Sequence, residues 1–270
     1  MARNIDVDEV SSPMNSSSSH LGRAALSSPA GAAISTGVAG ALAALSRLPN
    51  QASHAFRSRY PLVAVTGMTG VGKTKLVDRL VRRTTADEHL EVGSATMERR
   101  TQRSARLQGF RFRVVPGDNA ATRLGALDEV FHDEPVDGIL HVVSFGHATP
   151  RRAAGVSGPA EATRDQLMST ELDDWAITAH RIASLAVRRD RPIWLVIVVT
   201  KSDLFPDQVT EALHYYSPGS GSPFGNKLDE LRSLAGGARL AVDVIAVSAQ
   251  SEEAQIAALE TRMAQLSGHV

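Results

Sequence analysis

The sequence predicts an α/β fold, with a mostly parallel central sheet flanked by helices. Three observations carry that expectation. Apolar runs at residues 61–66, 138–143, 193–199 and 240–247 have the length and branched character of buried strands. Segments with apolar residues at helical spacing lie between them, and such alternation implies a parallel sheet with helical crossovers. A glycine-rich turn, Gly67-Met68-Thr69-Gly70-Val71-Gly72-Lys73-Thr74, joins the first strand directly to the first helix.

The chain has 270 residues, which suits one α/β domain of roughly 200 residues plus an accessory segment. Residues 1–28 read as a disordered tail, short of large apolar groups and carrying the serine run Ser16–Ser19. They are not a secretory signal, since Asp6, Asp8 and Glu9 come early and no apolar core follows. Residues 29–59 read as an accessory helical segment and linker. No charge falls between Ala30 and Ser46, and Ile34, Val38, Leu42 and Leu45 recur at helix-like spacing. A packed or partner-bound helix is the expectation. Weak membrane contact through 30–46 is the lesser alternative, because the stretch is too short and too rich in alanine and glycine for a span. Residues 60–270 are expected to be the folded domain.

Within that domain the elements follow in order. Residues 61–66 form a buried strand, and 73–83 a helix with Leu76, Val77, Leu80 and Val81 on one face. Strands at 103–107 and 110–115 meet at Gln108-Gly109 as a hairpin, the one antiparallel pair. Residues 124–131 are helical and 138–143 a strand. A polar loop, 145–160, precedes a long helix over 163–189 that packs through Leu167, Leu172, Trp175, Ile182 and Leu185. Residues 193–199 form the central strand. Helical pieces over 206–235 break at 217–224, and strand 240–247 and helix 252–266 close the chain.

Composition removes several chemistries. There is no cysteine, which excludes disulfides, thiolate catalysis and cysteine-ligated zinc. The nine histidines are scattered without a close pair at metal-ligand spacing. Lys plus Arg equals Asp plus Glu at 29 each, so the molecule as a whole is not built to coat nucleic acid. The expected location is the cytoplasm, with peripheral membrane association as the alternative that 30–46 leaves open.

The glycine-rich turn fits G-x-x-x-x-G-K-[ST], and each fixed residue has a reason. Gly67, Gly70 and Gly72 let the backbone wrap closely, so that amides from Thr69 to Lys75 converge on a phosphate. The following helix aims its positive end at the same place. Lys73 can bridge β- and γ-phosphate oxygens, and the Thr74 hydroxyl can ligate magnesium. This pattern says phosphate without choosing a base.

Two later motifs choose one. Thr200-Lys201-Ser202-Asp203 directly follows the central strand, and Val244–Gln250 ends a second strand in Ser248-Ala249-Gln250. In this order, each after its own strand, they resemble the guanine-recognition motifs of Ras-like P-loop small GTPases of the translation-factor-related class. The resemblance covers about residues 60–268 and implies a small G-domain fold with GTP or GDP as ligand and Mg2+ as cofactor. It implies that Asp203 accepts hydrogen bonds from guanine N1 and the exocyclic amine, and that the Lys201 stem packs along the base. Ser248 and the Ala249 amide would frame guanine O6, with Gln250 where the family usually has lysine. Adenine offers no such donors, so a carboxylate there rejects ATP.

The chain departs from the family at its third motif. Val114-Val115-Pro116-Gly117 stands where Asp-x-x-Gly is usual, with Val114 in place of the aspartate. Gly117 can still offer its amide to a γ-phosphate. A Val-Pro-Gly ending is similar to that of the bacterial gliding-polarity small GTPases. Asp118 follows, and reads as a water-orienting group, as a group reaching toward magnesium, or as a helix N-cap. Thr96 is the expected switch threonine, a second magnesium ligand, with Ser94 and Thr101 as rivals. Arg99, Arg100, Arg103, Arg106, Arg111 and Arg113 cluster nearby; a solvated edge strand is the first reading, and an anionic partner surface or an arginine acting in cis on the transferred phosphate is the second. The implied activity is a nucleotide-dependent switch with slow GTP hydrolysis, which needs an effector or regulator that the sequence does not identify. A homodimer across the nucleotide face is also within what the resemblance implies. The rival readings are a non-hydrolysing nucleotide-binding scaffold and a P-loop ATPase.

Overall fold

A computed structural model describes residues 60–82, 97–103, 109–117, 120–149, 162–248 and 253–268. The expectations for 1–59 therefore lie outside the described residues, as do Ser94, Thr96, Arg106, Asp118, Ala249 and Gln250.

Among the described residues there are six strands: β1 (Leu62–Thr66), β2 (Glu98–Arg103), β3 (Gly109–Val114), β4 (Gly138–Val143), β5 (Ile193–Val199) and β6 (Leu240–Ala246). They form one sheet in the order β2-β3-β1-β4-β5-β6. β2 and β3 run antiparallel, from Glu98↔Val114 to Arg103↔Gly109, and every other pair is parallel. Both β4 and β5 are buried along their full length, as strands covered on both faces must be.

The helices are α1 (Lys73–Leu80), α2 (Ala120–Asp128), α3 (Arg164–Arg188), α4 (Val209–Tyr215), α5 (Pro223–Ala235) and α6 (Glu253–Leu266), with a π-helical turn Glu129–Asp133 extending α2. Alternation along β1 sorts them into two layers. Val63 and Val65 join Leu76, Val77 and Leu80 of α1 and Leu259 and Met263 of α6 in one apolar cluster. Leu62 and Ala64 face the other, with Trp175, Ile182 and Leu185 of α3 and Phe224 and Leu228 of α5. Each fully buried side chain of this size contributes about 1.5–3 kcal/mol. α3 starts on a capping box: the Thr163 hydroxyl accepts from the Gln166 amide, and the Gln166 side chain accepts from the Thr163 amide.

The expected hairpin is real but displaced. Its first strand is Glu98–Arg103, not 103–107. The segment Glu-Arg-Arg-Thr-Gln-Arg has no apolar alternation, and its place is fixed by pairing to β3 rather than by its own pattern. β2 is a sheet edge, as the arginine cluster suggested. Its charges are largely paired: Arg100 with Asp78 and Glu98, Arg99 with Glu129, while Arg113 on β3 meets Glu134. Thr101 sits opposite Arg111, three residues from the Val114 end of that strand pair, roughly 10 Å along it. Among the described residues, no helix is long and apolar enough to cross a membrane.

Candidate functional site

The five parallel strands end on one side of the sheet, and the strand order reverses about β1. In open α/β sheets that is where ligands bind. Five post-strand segments meet there: residues 67–72, 115–117, 144–149, 200–204 and 247–248.

The loop after β1 is shaped by contact with the loop after β4. Gly70 has φ +76°, and a Cβ there would lie 2.1 Å from the Thr149 carbonyl oxygen. Only glycine fits both conditions. The Thr149 amide donates to the Gly70 carbonyl at 3.0 Å. α1 is capped at Gly72 and has no acidic residue in its first turn, so the positive end of the helix is left for an anion. Lys73 is buried, and its ammonium donates to the Gly67 and Met68 carbonyls at 2.8 and 2.9 Å. The lysine is thus curled back over the loop that it follows, with its charge at the loop's centre. Thr74 is half-buried on the first turn and Lys75 is exposed.

The third motif lies against this loop. A Cβ on Gly117 would come within 2.7 Å of the Thr69 amide nitrogen and 2.9 Å of Lys73 Nζ. The backbone at Gly117 is therefore beside the lysine head, although the two lie in separate motifs. Val114 is 2% exposed and packs in the cluster with Val63, Val65 and Leu76. It supplies no oxygen to the site.

The loop after β5 is joined to the loop after β1 by a hydroxyl. Thr200 Oγ1 donates to the Val71 carbonyl at 2.6 Å and the Val143 carbonyl at 2.9 Å, tying β4, β5 and the phosphate loop together. Lys201 adopts φ +59°, and its ammonium donates to the His147 carbonyl (2.8 Å) and to Thr149 Oγ1 (2.7 Å). Ser248 donates its hydroxyl to Asp203 Oδ1 at 2.6 Å and its amide to Gln255 Oε1 at 2.7 Å. Asp203 is exposed, and one of the several lone-pair positions of its carboxylate is used by Ser248. A cavity of about 210 Å³ opens between these groups, lined by Gly72, Lys75, Arg79, Lys201, Asp203 and Ser248 among others. Its size matches one heteroaromatic ring system better than a drug-sized ligand. A larger hollow of about 500 Å³ lies elsewhere, around Asp128, His132, Arg181 and Arg188, and shares no residue with these motifs.

A buried polar cluster backs the site. Glu171 accepts from the Ser144 amide and hydroxyl, both at 2.9 Å, and from the Tyr216 hydroxyl. Burial pushes its carboxyl above the usual range, against these three hydrogen bonds. Asp174 pairs with Arg123 of α2. Burial raises it to about 6, with the Arg123 and Lys73 charges opposing. His141 accepts or donates at Thr66 Oγ1, 2.9 Å away. It is lowered to about 3, first by burial and then by Arg123 and Lys73. Lys73 thus influences both groups across the sheet end.

The structure brings together Gly67, Thr69, Gly70, Val71, Gly72, Lys73, Thr74, Gly117, Thr200, Lys201, Asp203 and Ser248, all named from the sequence. It adds Thr149, Arg79, Gln255 and Glu171, which no motif announced. Arg79 had one signal: it lies four residues after Lys75 and so on the same helix face.

The strand order, the two helical layers and the phosphate loop at the end of β1 together define the architecture. The fold is a P-loop α/β domain. No protein-family model and no curated protein sequence matches the chain. Among solved structures it is similar to S. thermophilus NFeoB bound to GDP·AlF4−, at 15% identity over 76% of this chain and 64% of that one, TM-score 0.43. It is also similar to a variant of SsGBP, at 13% identity over 83% of this chain and 62% of that one, TM-score 0.45. A third is a GTP-binding protein from the hyperthermophilic archaeon Sulfolobus solfataricus in complex with GDP, at 13% identity over 87% and 60%, TM-score 0.45. The chain spans less than two thirds of the length of each.

Proposed function

We propose that this chain binds GTP and GDP, hydrolyses GTP slowly, and works as a nucleotide-dependent switch. The observation that carries this reading is the cavity at Asp203, whose carboxylate is held by Ser248 at the end of a continuous path of contacts to the phosphate loop through Thr200. A carboxylate with acceptor positions open to a purine-sized cavity selects a base edge rich in donors, and guanine has that edge where adenine does not.

On nucleotide entry, Lys73 exchanges the Gly67 and Met68 carbonyls for β- and γ-phosphate oxygens. The loop amides and the start of α1 complete the neutralisation. A magnesium ion would supply positive charge that offsets the charge of the phosphates. Thr74, half-buried at the start of α1, fits as one protein ligand, since magnesium commonly keeps waters and substrate phosphates as its other ligands. Among the described residues no cluster of three histidines or carboxylates could hold a metal by itself. Thr96 is proposed as the second hydroxyl, Gly117 as the γ-phosphate contact, and Asp118 as the group that orients the attacking water. Ala249 and Gln250 would extend the base contact begun by Ser248.

Val114 supports a second reading, a scaffold that binds nucleotide without turnover. An apolar side chain, buried at the place where the resemblance puts a magnesium-organising carboxylate, leaves that work undone. Titration with GTP, GDP and ATP, with and without Mg2+, followed by single-turnover GTP hydrolysis, tests both readings. Guanine selectivity with turnover above buffer supports the switch. Selectivity without turnover supports the scaffold. ATP displacing a labelled guanine nucleotide as well as GTP does refutes the base assignment.

A further inference from the structure

We infer that Arg79 is a positioning residue for the base: it sets the shape of the Asp203–Ser248 pocket from the phosphate-loop helix. The inference rests on the guanine reading above and adds to it a residue outside the nucleotide motifs.

Arg79 lies in the last turn of α1, and its Nη1 donates to the Ser248 carbonyl at 3.1 Å, across 169 residues of sequence. It also lines the base cavity beside Lys75 and Gly72. Ser248 is thereby held at three atoms by three separate elements. Its carbonyl meets α1, its hydroxyl meets Asp203 in the loop after β5, and its amide meets Gln255 of α6. The two tethers at carbonyl and amide fix the peptide planes on either side of the Ser248 α-carbon. That in turn fixes where the hydroxyl reaches Asp203. A guanidinium donating to a carbonyl is among the stronger neutral-acceptor hydrogen bonds. The base pocket is therefore aligned by the same helix whose first turn faces the phosphates.

A loosened Ser248 would leave phosphate contacts intact while misaligning Asp203. Loss of Arg79 should then reduce base discrimination and not merely affinity. The test measures GDP and ADP affinities of the full chain for wild type, Arg79→Met, Arg79→Lys and Gln255→Met, by competition against a fluorescent guanine nucleotide and by calorimetry. Arg79→Met is expected to weaken GDP about tenfold, the loss of one charged hydrogen bond, with ADP unchanged, so that the GDP:ADP ratio falls. Arg79→Lys should recover part of the ratio, and Gln255→Met, which cuts the opposite tether, should lower it in the same direction. An unchanged ratio in Arg79→Met and Gln255→Met, in a wild type that does discriminate, overturns the role of Arg79 alone. A wild type that binds ADP as tightly as GDP overturns the guanine reading and this inference with it.

Discussion

Asp203→Asn exchanges one acceptor oxygen for a donor nitrogen with almost no change in shape. The native contact is Ser248 Oγ to Asp203 Oδ1 at 2.6 Å, and the remaining oxygen of an asparagine can still accept that proton. The exposed position of residue 203 also means that little desolvation is involved. Thermal stability should therefore change by no more than about 0.5 kcal/mol, the usual range for surface substitutions. Binding should change much more. Two hydrogen bonds from guanine to a charged carboxylate are each worth about 1.5–3 kcal/mol, so GDP affinity should fall about 10²- to 10⁴-fold. The new amide presents a donor, which suits a purine carrying a carbonyl at C2; xanthine nucleotides should gain affinity where guanine nucleotides lose it. Competition titrations with GDP and XDP on the wild type and the variant measure both shifts. A variant that keeps wild-type GDP affinity, or loses GDP and XDP together, refutes the assignment of this carboxylate to the base.

Thr200→Val keeps the volume and removes a donor shared by the Val71 and Val143 carbonyls; a loss of about 1–3 kcal/mol in chemical denaturation is expected, together with weaker nucleotide binding because the two halves of the site are no longer tied. Gly117→Ala places a methyl within 3 Å of Thr69 N and Lys73 Nζ; it should lower affinity for a GTP analogue more than for GDP, and equal losses would remove Gly117 from the γ-phosphate side. The buried pair of titrating groups gives opposed pH effects. Asp174 is raised from 3.8 to about 6, so its contribution to stability is present below about pH 4 and lost as pH rises through 6, on the order of 3 kcal/mol. His141 is lowered from 6.5 to about 3, so its contribution is present above 6.5 and lost as pH falls, by a similar or larger amount. Wild-type stability should be comparatively flat between pH 4 and 6, while Asp174→Asn should lose stability on acidification more steeply than wild type; parallel pH profiles would contradict this.

What the sequence made legible was what short motifs, apolar runs and helical periodicity dictate, the long helix over 163–189 among them. The turn from Gly67 to Thr74 could be read completely, because every fixed residue answers to one local geometry. Strands β4 and β5 were read to the residue, since full burial leaves an uninterrupted apolar run. β2 was misplaced because an edge strand of charged residues carries no such signal; its register comes from β3. The helix expected over 124–131 was found, but its first turn, residues 120–123, and its π-type winding at Glu129–Asp133 carried no such signal. Asp203 and Ser248 were named one at a time from motifs, but their contact across 45 residues, and the reach of Arg79 to Ser248, exist only once β5, β6 and α1 are assembled. Nothing in the sequence sets Glu171 and Asp174 apart from the other acids of the long helix; only their burial against Ser144, Tyr216 and Arg123 does.

That burial constrains how any switching could proceed. Arg123 lies one turn into α2, the helix that follows the third motif, and its partner Asp174 is fixed in the middle of α3. Separating a buried ion pair costs about 3–5 kcal/mol, because each charge is left without compensation. Coupling free energies between ligand sites are typically 1–3 kcal/mol, too small to break it. A displacement that moves Arg123 then carries Asp174 with it, so α2 and α3 would shift together as one body. Lys73 adds to the constraint on this cluster, since its charge acts on both Asp174 and His141. Movement of that ammonium away from Asp174 would remove one of the two positive charges that oppose the rise of its carboxyl.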